Sequence, residues 1–398
     1  MVVLPVMLTR RTLFSAISSV AMGAVSAAVR IDDDIPGGNI IVDAVDGDTV
    51  SVRQDLRDTE GNWFYWAFRV QGAAGRKMTF RFPGRAPLSA LGPAVSLDRG
   101  RTWQWLGADS IHQASFTYTF PARVKEVRFS VNIPYFETDL ARFLDRHRGS
   151  PYLKAGVLAK SRKGRDIEML RVGNLENPKI RAILTARHHA CESLASYSLE
   201  GILAGIVKGT AGNWLRENTE FLVVPFMDKD GVEDGDQGKN RRPHDHNRDY
   251  GGESIHPSVK ALRELASKWP DGRLRFAMDL HCPYISGKGN EEIYFVGSRH
   301  PEIWREVVRF SKILESVQSG PLVYRADNNL PYGEGWNTDA NTKGLKSFGM
   351  WAAEQPGIRF ASTIEIPYAT AGGTAVTATS ARAFGIDLAR AIGRYLEG

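Results

Sequence analysis

A short apolar run, Ile180–Ala186, empties into Arg187-His188-His189-Ala190-Cys191-Glu192-Ser193, and a helical pattern follows over Ser193–Val207. A run of that length, bounded by polar turn residues, reads as a buried strand. A strand that passes through a polar turn into a helix is the unit of sheets covered by helices. The same unit recurs. Residues 167–172, 220–225, 274–280, 293–297 and 362–366 are further candidate strands, and 256–268, 301–315 and 380–396 are candidate helices. Residues 134–398 therefore read as one α/β domain with a mixed, largely parallel sheet flanked by helices.

The chain before Pro134 has a different grain. Residues 39–133 hold short segments rich in β-branched and aromatic side chains, among them 49–52, 63–70, 78–82, 116–120 and 127–133, and no helical pattern interrupts them. Thr79-Phe80-Arg81-Phe82 and Phe116-Thr117-Tyr118-Thr119-Phe120 alternate with period two. This is the signature of an antiparallel β-sandwich, with its aromatics in the core rather than on a sugar-binding face. Residues 29–38, with Asp32-Asp33-Asp34 and Pro36-Gly37-Gly38, read as a polar linker.

Residues 1–28 read as an export leader. Thr9-Arg10-Arg11-Thr12-Leu13-Phe14 resembles a twin-arginine signal, residues 13–25 are uncharged and mostly apolar, and small residues follow at 24–28. The apolar stretch is short for a membrane span, so the expectation is cleavage, export to the periplasm or medium, and no stable membrane insertion afterwards. Cleavage would remove Arg10 and Arg11 and take the formal charge from +6 to 6 − 2 = +4. So mild a charge, without Lys/Arg runs, argues against a nucleic-acid partner. Two cysteines, Cys191 and Cys282, exclude a disulfide framework.

The chemistry-bearing residues gather at strand ends. His189 and Glu192 sit at the turn after 180–186, His281 ends the 274–280 run, and Glu365 lies inside the apolar strand 362–366. Two imidazoles, one carboxylate and an open position form a catalytic zinc site. A buried glutamate beside it is suited to be a general base. His188, next along the strand, should point the other way.

These residues carry a resemblance to the zinc metallocarboxypeptidases of peptidase family M14, in particular a bacterial, exported form of the cytosolic-carboxypeptidase-like branch. Ala186-Arg187-His188-His189-Ala190-Cys191-Glu192-Ser193 resembles that branch's ARxHPGE(T/S) motif. Phe226-Met227-Asp228-Lys229-Asp230-Gly231-Val232 resembles its PDGV turn, Asp245-His246-Asn247-Arg248 its DLNR, and Asp279-Leu280-His281 its DLH. Trp63-Phe64-Tyr65 and Ile133-Pro134-Tyr135 are similar to the branch's own N-terminal sandwich and its junction. The resemblance implies one zinc ion per chain held by His189, Glu192 and His281, with Glu365 activating the water and passing its proton to the leaving amine. It implies that Asn247 and Arg248 grip the terminal carboxylate of a peptide or protein substrate, an arginine–carboxylate fork being suited to that. A further arginine would stabilise the oxyanion. Arg241 fits best, from Gly238-Lys239-Asn240-Arg241, and Arg242 stays open.

The chain also departs from the family. His-Ala-Cys-Glu replaces HPGE, Asp-Leu-His-Cys-Pro replaces DLHGH, and the gap from Arg241 to Asn247 is short. Tyr332 and Tyr368 are both candidates for a substrate-capping tyrosine. Cys191 and Cys282 flank two ligands of one metal, which leaves a bridge between them open in an oxidising compartment. If Lys343 and Lys346 face the pocket, an acidic terminal residue is favoured. A zinc amidohydrolase of the aspartoacylase or succinylglutamate-desuccinylase type is the alternative, because it shares HxxE, the Asn–Arg pair and DLH. The sandwich argues against it.

Overall fold

The computed structural model describes residues 28–84 and 87–398. The leader expected over 1–28 therefore lies, but for its last residue, outside the described residues.

Residues 30–130 build two five-stranded sheets. One joins Arg30–Asp32, Ala67–Gln71, Glu126–Ser130, Ala94–Ser96 and Gln104–Trp105. The other joins Ile41–Asp46, Thr49–Arg53, Lys77–Arg81, Ser115–Thr119 and Ile111–His112. The alternation seen in the sequence buries Met78 and Phe80 while Lys77 and Arg81 face solvent. Phe68, Phe80, Phe116 and Phe129 meet in the core, with centroids 5.0 Å apart for Phe80–Phe116 and 5.2 Å for Phe116–Phe129. All four are fully buried, as core aromatics should be. Truncating one such ring costs about 3–5 kcal/mol.

Two details differ from the sequence reading. Arg30–Asp32, inside the stretch read as a linker, is an edge strand antiparallel to Ala67–Gln71. Its pull is ionic, since Arg69 reaches Asp32 at 2.8 Å. One pairing in the second sheet, Thr49–Arg53 with Lys77–Arg81, is parallel.

The following residues form a seven-stranded sheet in the order Leu153–Lys160, Asp166–Gly173, Thr219–Val224, Ile180–Ala186, Leu274–His281, Phe360–Glu365, Tyr294–Phe295. The four strands from Thr219–Val224 to Phe360–Glu365 pair in parallel, and the outer pairings are antiparallel. The sheet is thus mixed with a parallel centre. The C-terminal ends of Ile180–Ala186, Leu274–His281 and Phe360–Glu365 lie side by side, which is where α/β sheets hold ligands.

The helix Ser193–Val207 is buried almost throughout and packs on the helix Ala378–Glu397. Glycine permits the close approach. A Cβ on Gly201 would stand 2.1 Å from the carbonyl oxygen of Arg382, and one on Gly385 2.0 Å from that of Ser198. This fixes the helix whose N-cap residue is Glu192.

Candidate metal centre

The ligand turn begins with a strained residue. Arg187 has φ +61° at the end of the strand Ile180–Ala186. Its buried guanidinium donates to the carbonyl oxygens of Ala190 (2.9 Å from Nε) and Tyr135 (2.8 Å) and to Ser196 Oγ (3.2 Å). The arginine ties down a turn that lacks the Pro-Gly pair. Gln237 closes the other side. Its carbonyl oxygen accepts the Cys191 N–H at 3.2 Å, and its Nε2 donates to Cys191 Sγ at 3.0 Å.

His189, Glu192 and His281 converge, as the spacing suggested. His189 Nδ1 lies 3.0 Å from Glu192 Oε1, His281 Nδ1 2.8 Å from Glu192 Oε2, and the two imidazole nitrogens 3.1 Å from each other. The far nitrogen of His281, Nε2, is 2.5 Å from Asp279 Oδ2. Burial lowers the His281 imidazole, but Asp279 and Glu192 outweigh it and hold the ring well above its ordinary range, so the metal-free ring is protonated on both nitrogens; zinc would displace the Nδ1 proton and leave the Nε2–H on Asp279. Such a carboxylate–histidine pair orients metal ligands. Burial pushes the His189 imidazole down to about 4, against the pull of Glu192, so it is a neutral donor at neutral pH. Burial alone would raise Glu192, but His189, Lys239 and His281 hold its carboxyl well below the usual range. Two imidazole nitrogens and one carboxylate facing a common point suit zinc.

Glu365 completes the group. It pairs in register with His281 on the neighbouring parallel strand, is 6% exposed, and leaves its Oε2 without a hydrogen-bond partner. Burial raises its carboxyl to about 7, although His281 and Lys239 oppose the shift. A buried oxygen with no partner is costly unless something else engages it.

Other expected residues fall as follows. Asn247 Nδ2 lies 3.3 Å from His281 Nε2, and its Oδ1 accepts the Phe348 N–H at 2.9 Å. Arg248 donates to the Asn247 carbonyl oxygen at 3.0 Å. Among the described residues no carboxylate pairs with Arg248 within 4.0 Å, which leaves its guanidinium available to an anion. His188 does point away, with Nδ1 2.9 Å from Asp279 Oδ1 and Nε2 2.8 Å from the Tyr250 hydroxyl.

Arg241 is not among the residues that meet His189, Glu192 and His281. Asp58, Asp228 and Asp236 occupy its guanidinium at 2.9, 2.7 and 2.8 Å, so it is a clamp between the sandwich and the segment 228–243. Arg242 is 77% exposed and pairs with Glu60. The cation at the cluster is Lys239, whose Nζ is 2.7 Å from Glu192 Oε1. Sequence reading passed over it because the family pattern asks for arginine.

Tyr368 is buried and 3.3 Å from Cys191 Sγ through its hydroxyl, which fixes it; Tyr332 is 38% exposed. Cys191 and Cys282 are both buried free thiols. Lys346 binds Glu354 at 2.6 Å, and Lys343 stands on an exposed loop. A further group, His244, Asp249 and His256, is internally satisfied. Asp249 accepts the N–H groups of Ile255 (2.9 Å) and His256 (2.8 Å) and bonds His244 Nε2 (2.8 Å).

With the geometry in view, the likeness to known proteins becomes specific. The zinc carboxypeptidase family profile matches residues 146–279. The chain carries a zinc carboxypeptidase domain. The match takes in His189, Glu192, Asn247 and Arg248 and stops two residues short of His281, so His281 and Glu365 join the domain through the sheet register just described. The chain is similar to cytosolic carboxypeptidase 6 of Caenorhabditis elegans, 25% identical over 300 residues, 64% of this chain and 65% of that one. Cytosolic carboxypeptidase 3 of Bos taurus is 28% identical over 205 residues, 48% of this chain and 20% of that one. The chain thus spans less than two thirds of these curated relatives. In fold, it matches a metallo-carboxypeptidase from Burkholderia cenocepacia with TM-score 0.74 at 19% identity, over 93% of this chain and 99% of that one. A metallo-carboxypeptidase from Pseudomonas aeruginosa gives TM-score 0.72 at 20% identity, over 92% and 99%. Both architectures, sandwich and zinc carboxypeptidase domain, are therefore shared with those structures.

Proposed function

We propose that this protein is an exported zinc carboxypeptidase that removes the terminal residue from peptide C-termini. The observation that carries the reading is the convergence of His189, Glu192 and His281 beside the unpartnered Glu365 carboxylate. These three residues would hold one zinc ion, which supplies Lewis acidity to a water and to the peptide carbonyl. Glu365 takes the proton of the attacking water and delivers it to the departing amine. A base whose carboxyl is raised to about 7 by burial is matched to that double task near neutral pH. Arg248, unpaired, and Asn247 bind the substrate's terminal carboxylate, which restricts the cut to the last peptide bond. An acidic terminal residue draws no support from Lys346, whose ammonium is already bonded to Glu354.

The amidohydrolase alternative is disfavoured by the sandwich, which touches the ligand turn itself. Asn132 Nδ2 donates to the Cys191 carbonyl oxygen at 2.8 Å, and Ser193 Oγ to that of Ile133 at 2.7 Å. The leader read over 1–28 sends the enzyme to peptides outside the cytosol, peptidoglycan stems included. The test is release of C-terminal residues from a peptide library, with N-acyl amino acids assayed in parallel, by the wild type and by Glu365→Gln. Terminal release that disappears in Glu365→Gln while one zinc per chain is retained is the expected outcome. Turnover of N-acyl amino acids alone, or undiminished release by Glu365→Gln, overturns the reading.

A further inference from the structure

The loop 237–239 lies against the metal-ligand turn. Gly238 has φ +82°, and a Cβ there would stand 2.2 Å from the Ala190 nitrogen. Only glycine brings the backbone this close. The consequence is the placement of the next side chain. Lys239 reaches in until its Nζ is 2.7 Å from Glu192 Oε1 and 3.1 Å from the Cys282 carbonyl oxygen, with the Trp63 ring centroid 5.6 Å away. Its side chain is 13% exposed. An ammonium has three donors, and the described residues engage two.

The sandwich holds this loop in place. Gln237 Oε1 accepts the N–H groups of Phe64 (3.1 Å) and Tyr65 (2.9 Å), Arg57 binds Asp236 at 2.6 Å, and Arg241 reaches Asp58 at 2.9 Å. Lys239 is thus fixed from both sides of its loop, and its backing ring, Trp63, comes from the sandwich. A preorganised, largely buried cation at the wall of a hydrolytic site acts on whatever negative charge develops there.

We propose that Lys239, and not Arg241, is the cation that binds the oxygen of the scissile carbonyl and stabilises the oxyanion. This rests on the carboxypeptidase reading. As water adds to the carbonyl carbon, the C=O π pair moves onto the oxygen, and the free Nζ–H donates to it. When the C–N bond breaks, the pair returns and the amine leaves with the proton from Glu365. Lysine brings one point charge where the family's arginine brings a planar fork. Arg241, locked among three carboxylates, cannot contribute.

The test uses the full zinc-loaded protein as wild type, Lys239→Gln and Lys239→Arg. Three quantities are read: kcat on the best-cleaved library peptide, bound zinc per chain, and affinity for two ligands. One ligand is a phosphonate analogue of that peptide, which carries a tetrahedral anion. The other is the free amino acid product, which fills only the carboxylate anchor. The expected result for Lys239→Gln is a kcat lower by about 10²–10³-fold, a comparable loss of phosphonate affinity, unchanged zinc and unchanged product affinity. Lys239→Arg recovers part of both losses. Loss of zinc from Lys239→Gln would make the residue a support for Glu192 and overturn the assignment, as would an equal loss of affinity for both ligands. Undiminished kcat in Lys239→Gln overturns it while leaving the carboxypeptidase reading intact. A wild type that releases no terminal residue fails that reading itself, and Lys239's role with it.

Discussion

His281 and Glu365 are directly paired on adjacent parallel strands, a metal-ligand candidate and a buried carboxylate brought side by side by sheet register alone. Register in a sheet buried on both faces is strongly held, because a one-residue slip would turn each strand's side chains over. The distance between the two groups is therefore set by the core of the domain and not by a loop.

That placement opposes stability. Burial raises the Glu365 carboxyl from 4.5 to about 7, so between these values the folded chain keeps a proton the unfolded chain has lost. The contribution of Glu365 to the stability of the metal-free protein should therefore fall as pH rises from about 4.5 to about 7 and then level. Glu365→Gln removes the effect. At pH 8 the metal-free variant should exceed wild type by up to about 3 kcal/mol, and at pH 4.5 the two should agree. Urea unfolding at both pH values measures this; a pH-independent difference contradicts it.

Asp279 should act through two histidines. Its Oδ2 is 2.5 Å from His281 Nε2, and its Oδ1 is 2.9 Å from His188 Nδ1 and 2.8 Å from Thr185 Oγ1. Asp279→Asn removes the charge that holds the His281 tautomer. Zinc affinity, read by competition with a chromophoric chelator, should fall about 10–100-fold. An unchanged dissociation constant would show that Asp279 is only packed there.

Metal removal should be visible in thermal unfolding. His189, Glu192 and His281 meet at one point, and zinc would take the place of the proton that His281 holds toward Glu192. Adding zinc to chelated protein should raise Tm, with about 4 kcal/mol available at a thousandfold excess over Kd. Glu192→Gln should reduce that shift sharply. A wild type indifferent to zinc would remove the metal centre from consideration.

Much of this site was legible in the sequence, and the reason is local. His189, Glu192 and His281 each sit at the end of a strong apolar run, and Glu365 is a charge within one. Lys239 and Arg241 were not legible, because their surroundings come from far away in sequence. Asp58 and Trp63, about 180 residues earlier, decide which of the two cations is caged and which is presented. The strand Leu153–Lys160 was also missed. Only its ends approach the core, its middle residues are exposed, and no apolar run marks it.

Gly238→Ala should separate the loop's two demands. The residue has φ +82° and its new Cβ would press on the Ala190 nitrogen. Gly164 has the same φ, +82°, with nothing within 4 Å of a Cβ. Gly164→Ala should therefore cost only the backbone term, about 1 kcal/mol. Gly238→Ala should cost about 3 kcal/mol or more and weaken zinc binding as well, because the displaced atom belongs to the ligand turn. Equal destabilisation of the two variants would mean that the loop yields freely.

The adjacent arginines make the sharpest contrast. Arg241 is 12% exposed in its side chain and neutralises Asp228, itself 2% exposed, together with Asp58 and Asp236. Removing the guanidinium leaves a buried carboxylate facing others, which costs about 3–5 kcal/mol when one partner of a buried ion pair is deleted. Arg242, 77% exposed beside a half-exposed Glu60, belongs to the class of surface pairs worth at most about 1 kcal/mol. Arg241→Met should therefore lower Tm by several degrees more than Arg242→Met. The deficit should shrink at low pH, where the freed carboxylates take up protons. Equal effects from the two substitutions would mean that the sandwich is not clamped to the segment 228–243 through Arg241.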